Sequence, residues 1–311
     1  MGDSGPAHLI PGKRPGPAIW TRSFLRMSAD FTNIAILGGG LLGGSLAMAL
    51  MPNHPQVRLW ARRPETVTAA LEAGISGASG DLASAVADAD LVVLAVPVGS
   101  MATLVRQAID AGLPAGCLIT DVGSVKRAPH QTIPPILAGL GMEFIGSHPM
   151  AGSEQNGLGA ASADLFRNAA CLLTNDERVS PDRAMALERF WQGVGCRTTW
   201  MGAGDHDELV ARISHLPHII AASAARICLN NPDDGRFGGG GLRDTTRVAS
   251  GNAEMWAEIL TENHEALLDP LRQTIADLGG LLRHLETGDR QAVCRWLMEA
   301  KQLRDLLHTN C

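Results

Sequence analysis

From Asn33 onward the chain repeats one pattern: a short apolar run, a turn, then a stretch in which apolar side chains return at helical spacing. After the first run, others occupy 57–60, 91–96, 117–120, 144–146 and 171–174. Runs apolar at consecutive positions suit strands covered on both faces, and their alternation with helices predicts a parallel α/β sheet. After about Gly204 the strand signals stop. Ile259, Leu260, Leu267, Leu271, Ile275, Leu278, Leu282 and Leu285 then follow helical spacing, which predicts a long helix over about 253–285. That helix is apolar on more than one face, so it needs cover. Either a second copy of the chain or the rest of its own subunit would supply it.

The segment NIAILGGGLLGGSLAMAL places Gly38, Gly40 and Gly43 in GxGxxG spacing between a strand and a helix. The first glycine permits a tight turn, the second lets the backbone approach a pyrophosphate, and the third lets helix and strand pack closely. The helix N-terminus, opening at Leu41 and Leu42, faces the phosphates with unpaired N–H groups. The expected architecture is therefore α/β: a Rossmann-type parallel sheet domain over 30–203, then an all-helical domain over 204–311 suited to dimerisation. A later run, LVVLAVPVGS, ends in a loop at the carboxyl edge of the sheet. There Val96, Pro97 and Val98 either flank the cofactor or form an ordinary strand exit.

The second strand ends Leu59, Trp60, Ala61, Arg62, Arg63. An acidic residue there would bind the ribose 2′-hydroxyl of NAD+ and repel a 2′-phosphate, and none is present. Arg62 and Arg63 would instead pair with that phosphate, which favours NADP+ over NAD+. If both arginines are merely solvated, NAD+ is held through backbone contacts.

Composition narrows the class further. The net charge of -6 argues against a nucleic-acid partner, whose phosphates call for an excess of Lys and Arg. No uncharged apolar run reaches the ~18 to 20 residues of a membrane span. The six cysteines form no CxxC pair, as expected of reduced thiols in a cytoplasmic protein. Residues 1–29 are rich in Pro and Gly and lack apolar periodicity, so they read as an unfolded extension, with Met27 an alternative start.

Four polar segments stand in otherwise apolar or Gly-rich surroundings: TDVGSVK, GSHPMAGSE, SHLPH and LRDTTRVASGNAEMW. The first two follow apolar runs, which predicts Ser124 and His148 just past strand ends on the cofactor side of the sheet. His215 and His218 share a helix face, and Pro217 between them should kink that helix. Arg247 lies in a Gly-rich connection before the helix that carries Trp256. Taken in this order, the motifs resemble those of the TyrA family of prephenate and arogenate dehydrogenases, with the likeness running from about residue 33 to 300.

The resemblance implies oxidative decarboxylation of a cyclohexadienol to a phenol in tyrosine biosynthesis, with hydride passing to NAD(P)+. It also implies a homodimer built on the C-terminal helices. His148 takes over the role of contacting the substrate hydroxyl, Ser124 accompanies it, and His215, His218 and Arg247 line the substrate pocket. Prephenate is the implied substrate, with arogenate, which bears an amino in place of a keto group, as the alternative.

The chemistry asks for such groups. A carbinol losing hydride needs a proton acceptor, and unprotonated histidine suits neutral pH. Ser124 would hold the hydroxyl or fix the imidazole tautomer. A dicarboxylate needs a cation, and the guanidinium of Arg247 binds carboxylate in bidentate fashion, unless Asp244 engages it structurally. No Cys or carboxylate cluster accompanies His215 and His218, and hydride transfer needs no metal. Two other readings are a 3-hydroxyacid dehydrogenase, disfavoured by the lack of a lysine near SHLPH, and a dinucleotide-sensing regulator without chemistry.

Overall fold

The computed structural model describes residues 30–307 apart from 53, 55, 153, 154 and 156, so the extension expected over 1–29 lies outside the described residues. The first part alternates strands and helices: β1 Ile34–Leu37, α1 Leu41–Leu50, β2 Val57–Trp60, α2 Pro64–Glu72, β3 Ala78–Ser79, α3 Leu82–Val86, β4 Leu91–Leu94, α4 Val98–Asp110, β5 Leu118–Asp121, α5 Arg127–Thr132, α6 Pro134–Leu137 and β6 Glu143–Phe144. These six strands form one sheet in the order β3-β2-β1-β4-β5-β6, every pair parallel. Strand order reverses between β1 and β4, and the crevice at their carboxyl ends is where open α/β sheets bind ligands.

Side-chain alternation along β1 shows why its residues are uniformly apolar. Ile34 and Ile36 join one core cluster while Ala35 and Leu37 join another, so both faces of the sheet are covered.

A second sheet follows, which the single parallel sheet expected from sequence did not include. Strands β7 Gly146–Pro149, β8 Ala170–Thr174 and β9 Arg197–Met201 are ordered β7-β8-β9, with α7 Pro181–Val194 joining the last two. β7 runs antiparallel to β8. The chain leaves the first sheet at Ile145, whose N–H still bonds Ile119, and turns at Gly146. A Cβ at Gly146 would lie 2.4 Å from Thr174 Oγ1 and 2.8 Å from Lys126 Cδ, so the crossing is too crowded for a side chain.

Beyond β9 the described residues hold only helices and turns: α8 Ala203–Val210, α9 Leu216–Cys228, α10 Gly240–Thr246, α11 Ala253–Glu262, α12 His264–Glu286 and α13 Arg290–Leu306. Between α8 and α9 the helix widens into a π turn over Ala211–His215. Pro217 accounts for this widening, because it lacks an N–H and its ring clashes with the carbonyl four residues back.

The helix expected over 253–285 is broken at Asn263, which ends α11. Its side-chain amide is drawn instead to Asp207 O at 2.8 Å and His215 Nδ1 at 3.0 Å. No helix of the described residues is long and apolar enough to cross a membrane.

Candidate active site

The glycine turn sits at the strand-order switch. Gly38 has φ +130°, and a Cβ there would lie 2.2 Å from Ala95 O. A Cβ on Gly43 would lie 1.9 Å from Gly38 O, so β1 and α1 pack backbone to backbone. Gly40 is different, because a Cβ there would meet nothing within 4 Å. It precedes Leu41 and Leu42, and no side chain caps the helix. An uncapped helix N-terminus beside open space fits an anionic pyrophosphate.

Val96 lies against this turn, its Cγ1 3.1 Å from the position of a Cβ on Gly38, and Pro97 follows as the N-cap of α4. Arg62 and Arg63 stand exposed beyond β2, and Arg63 Nε faces Glu65 at 3.7 Å.

His148 does not lie past the end of a strand, as the sequence suggested. It sits within β7, opposite Leu172, because the chain has already crossed into the second sheet. Its Nδ1 meets His206 Nε2 at 2.9 Å, and His206 Nδ1 meets Asp207 Oδ1 at 2.8 Å. Asp207 also accepts the backbone N–H groups of Lys126 at 2.7 Å and Arg127 at 2.9 Å. Lys126 is wholly buried against Asp121 and donates further to the carbonyls of Gly123 at 2.9 Å and Val125 at 3.0 Å. This buried cation is therefore fully paired.

Burial pushes the His148 imidazole well below its ordinary range, and His206, Lys126 and His215 add to that direction. His206 is also lowered, by burial against the opposing pull of Asp207. Burial raises the Asp207 carboxyl, but its bonds from His206, Arg127 and Lys126 outweigh this and hold it below the ordinary value. The result is two neutral imidazoles in series with a carboxylate.

Ser124 lies half-buried in the loop between β5 and α5. The atom that meets His148 Nδ1 is His206 Nε2.

His215 is buried at the end of the π turn and His218 in α9, and the Trp256 ring from α11 stacks on His218 with centroids 3.6 Å apart. His215 meets the same ring edge-on at 6.2 Å. Burial lowers the His215 pKa to about 4, so the ring is neutral. Asn263 donates to its Nδ1, which puts the proton on Nε2. That Nε2 and His218 Nδ1 are buried without a hydrogen-bond partner. Unsatisfied buried polar atoms are costly, so both are open to a polar partner. Arg247 opens a short 3-10 turn, Arg247–Ser250, directly after α10 and is exposed, so the connection holding it is largely helical rather than a loose Gly-rich link.

Two family descriptions match the chain: the nucleotide-binding domain of prephenate dehydrogenase over residues 46–200 and its dimerization domain over 202–299. The chain belongs to the prephenate dehydrogenase family. The prephenate dehydrogenase of Bacillus subtilis is 33% identical over 279 residues, covering 88% of this chain and 75% of that protein. The solved prephenate dehydrogenase of Aquifex aeolicus, in complex with hydroxyphenyl propionate and NAD+, has a TM-score of 0.79 at 26% identity and covers 89% of this chain and 98% of that one. The arogenate dehydrogenase of Synechocystis has a TM-score of 0.71 at 29% identity, covering 88% and 99%. The matched nucleotide-binding span of this chain begins at residue 46, after the glycine turn.

Sequence reasoning missed His206, Asp207, Asp121, Lys126 and Asn263. Asp121 and Lys126 flank Ser124 in a motif already singled out, and a lysine inside an apolar, Gly-rich loop was a usable signal. His206 and Asp207 stand in GDHDELV, which has the composition of an ordinary solvated helix turn.

Proposed function

We propose that this chain oxidatively decarboxylates prephenate to 4-hydroxyphenylpyruvate with a nicotinamide dinucleotide, and that two copies assemble through the helical C-terminal part. The observation that carries this reading is the buried His148, whose Nδ1 is engaged by His206 at 2.9 Å so that Nε2 is left for a substrate. Arogenate presents the same ring chemistry, and the likeness to the Synechocystis enzyme keeps it as the second substrate to be tried.

Gly38, Gly40, Leu41, Leu42 and Gly43 would hold the dinucleotide, with Val96 and Pro97 at its flank. Bound there, it supplies the acceptor for the hydride leaving the carbinol carbon. His148 Nδ1 is engaged by His206, so Nε2 is the atom that takes the hydroxyl proton as the carbonyl develops. Loss of the ring carboxylate as CO2 returns its bonding pair through the ring to that oxygen, and His148 gives the proton back to form the phenol. Ser124 holds the hydroxyl. His215 Nε2 and His218 offer polar contacts to the side chain, and Arg247 pairs with a carboxylate. Arg62 and Arg63 favour NADP+, with Arg62 the less compensated charge because Arg63 faces Glu65.

The test is an absorbance assay at the nicotinamide band with prephenate and arogenate crossed against NAD+ and NADP+. Turnover of prephenate is expected, and turnover of neither substrate sinks the reading. His148→Asn should bind cofactor but lose about 10² to 10⁴ in kcat. In the same assay, Arg62→Ala should shift the cofactor ratio toward NAD+ by about 10- to 100-fold, the size of a charge-assisted contact. An unchanged ratio removes the arginine from cofactor choice.

A further inference from the structure

We infer that His206 and Asp207 are positioning residues that decide which nitrogen of His148 carries its proton, leaving the lone pair of Nε2 for the substrate hydroxyl. The inference rests on the reading of His148 as the proton acceptor.

The groups at one end of the series cannot change direction. The backbone N–H groups of Lys126 and Arg127 can only donate, and they donate to Asp207 Oδ1 and Oδ2. The carboxylate they hold is therefore an acceptor, and the 2.8 Å contact from Oδ1 to His206 Nδ1 requires the hydrogen to sit on the imidazole. A neutral imidazole carries one hydrogen, so His206 Nε2 accepts. The atom facing it at 2.9 Å is His148 Nδ1, which must donate. Neutral His148 is then unprotonated at Nε2.

Each bond in the series fixes the next, and every ring and carboxylate in it is buried, so water does not scramble the order. Once His148 takes a proton, its Nδ1–H still points at His206, whose own Nδ1–H faces the carboxylate. The new charge is thus met by a polarised chain ending in an anion.

The groups that face His206 are Asp207 on its own helix, His148 from β7, Lys126 and Asp121 from the β5 segment and His215 from the π turn. Lys126 and Asp121 cancel one another, since they are paired. Asp207 is thus the one uncompensated charge in direct contact with the series. The same residue orders the second histidine, because its backbone carbonyl holds Asn263, which donates to His215 Nδ1.

The test joins nitrogen NMR of histidine-labelled full-length protein to steady-state kinetics. In the unaltered protein His148 should show the Nδ1–H tautomer. His206→Gln puts a carboxamide oxygen where Nε2 stood and should keep both that tautomer and most of kcat. His206→Leu removes the acceptor and should lose the tautomer and about 10² to 10⁴ in kcat, with the KM for substrate and the affinity for dinucleotide unchanged. Asp207→Asn should do the same by reversing the hydrogen bond to His206, a class of error that costs about 10⁴ in a related histidine–carboxylate arrangement.

Because Asp207→Asn also disturbs two backbone donors, the His206 pair decides the matter if that variant does not fold. A proton on His148 Nε2 in the unaltered protein overturns the inference. So do equal losses in His206→Gln and His206→Leu accompanied by loss of dinucleotide binding, which is what a purely structural role gives. The NMR measurement needs no substrate, so its outcome stands whether or not prephenate is turned over.

Discussion

His148, His206 and His215 are all held neutral by burial, and neutrality in the folded state fixes the sign of the pH response. Unfolded, each would take a proton near pH 6.5; folded, each resists until the pH is lower, about 4 for His215. Below about pH 6.5 the unfolded chain therefore binds more protons than the folded one, and stability falls as pH falls. The steepest loss is up to about 1.4 kcal/mol per pH unit for each histidine. Asp207, with its carboxyl held below the ordinary value, acts in the same direction but at lower pH still. Urea unfolding followed between about pH 7.5 and 5 should show this decline, with a shallower slope in His148→Asn. A flat profile would mean that these rings are hydrated in solution. Single residues of this kind were partly readable beforehand. His148, His215 and His218 stand out as polar groups in apolar sequence, whereas His206 acquires meaning only through His148, 58 positions away, and Asp207 only through residues 126–127, about eighty positions away.

Among the elements, the glycine turn was the most legible, because its three constraints are local. The structure separates those constraints by what a methyl group would meet. At Gly43 it would meet the Gly38 carbonyl at 1.9 Å, so Gly43→Ala must push α1 off β1 and should lower both Tm and dinucleotide affinity. Gly40 has open space and an extended backbone that any residue adopts, at φ -82° and ψ -164°. Gly40→Ala should leave Tm unchanged while weakening dinucleotide binding about tenfold or more, a loss of roughly 1.4 kcal/mol. Thermal melts with and without dinucleotide separate the two, and unchanged affinity in Gly40→Ala would place the pyrophosphate elsewhere. Other elements were less legible for an identifiable reason. Residues 144–149 are buried without interruption, so the move from one sheet to the next leaves no break in the hydrophobic pattern. Only the crowding around Gly146 marks it. Similarly, the end of α11 at Asn263 is set by partners at Asp207 and His215, and helical periodicity carries straight through it.

At the scale of the whole molecule, the helical part is tied to the sheet part through α8 and α11. Glu258 of α11 accepts the Gly99 N–H at 2.5 Å, at the start of α4, and Asp207 of α8 accepts the backbone N–H groups of Lys126 and Arg127. Much of the remaining helical surface is apolar. On α12, Ile275, Leu278, Leu282 and Leu285 are 63, 49, 56 and 59% exposed. Their spacing of three, four and three residues draws one stripe along the helix. This is the face that the sequence assigned either to a second copy or to its own subunit, and within the subunit it stays open. Covering a leucine completely contributes ~1.5 to 3 kcal/mol, so the half-exposed stripe from two copies contributes on the order of 10 kcal/mol. That only about balances the ~4 to 15 kcal/mol cost of association. The surplus must come from neighbours such as Leu297 and Leu303 on α13, 56 and 70% exposed. Light scattering at micromolar concentration should therefore give twice the 32.8 kDa chain mass, and the melting temperature should rise with protein concentration. Leu282→Glu combined with Leu285→Glu places like charges on both copies of the stripe and should give a monomer whose helix content, by circular dichroism, is retained. If the doubly substituted chain remains a dimer, the stripe is not the interface, and the exposed residues of α9 around Ile227 become the surface to alter next.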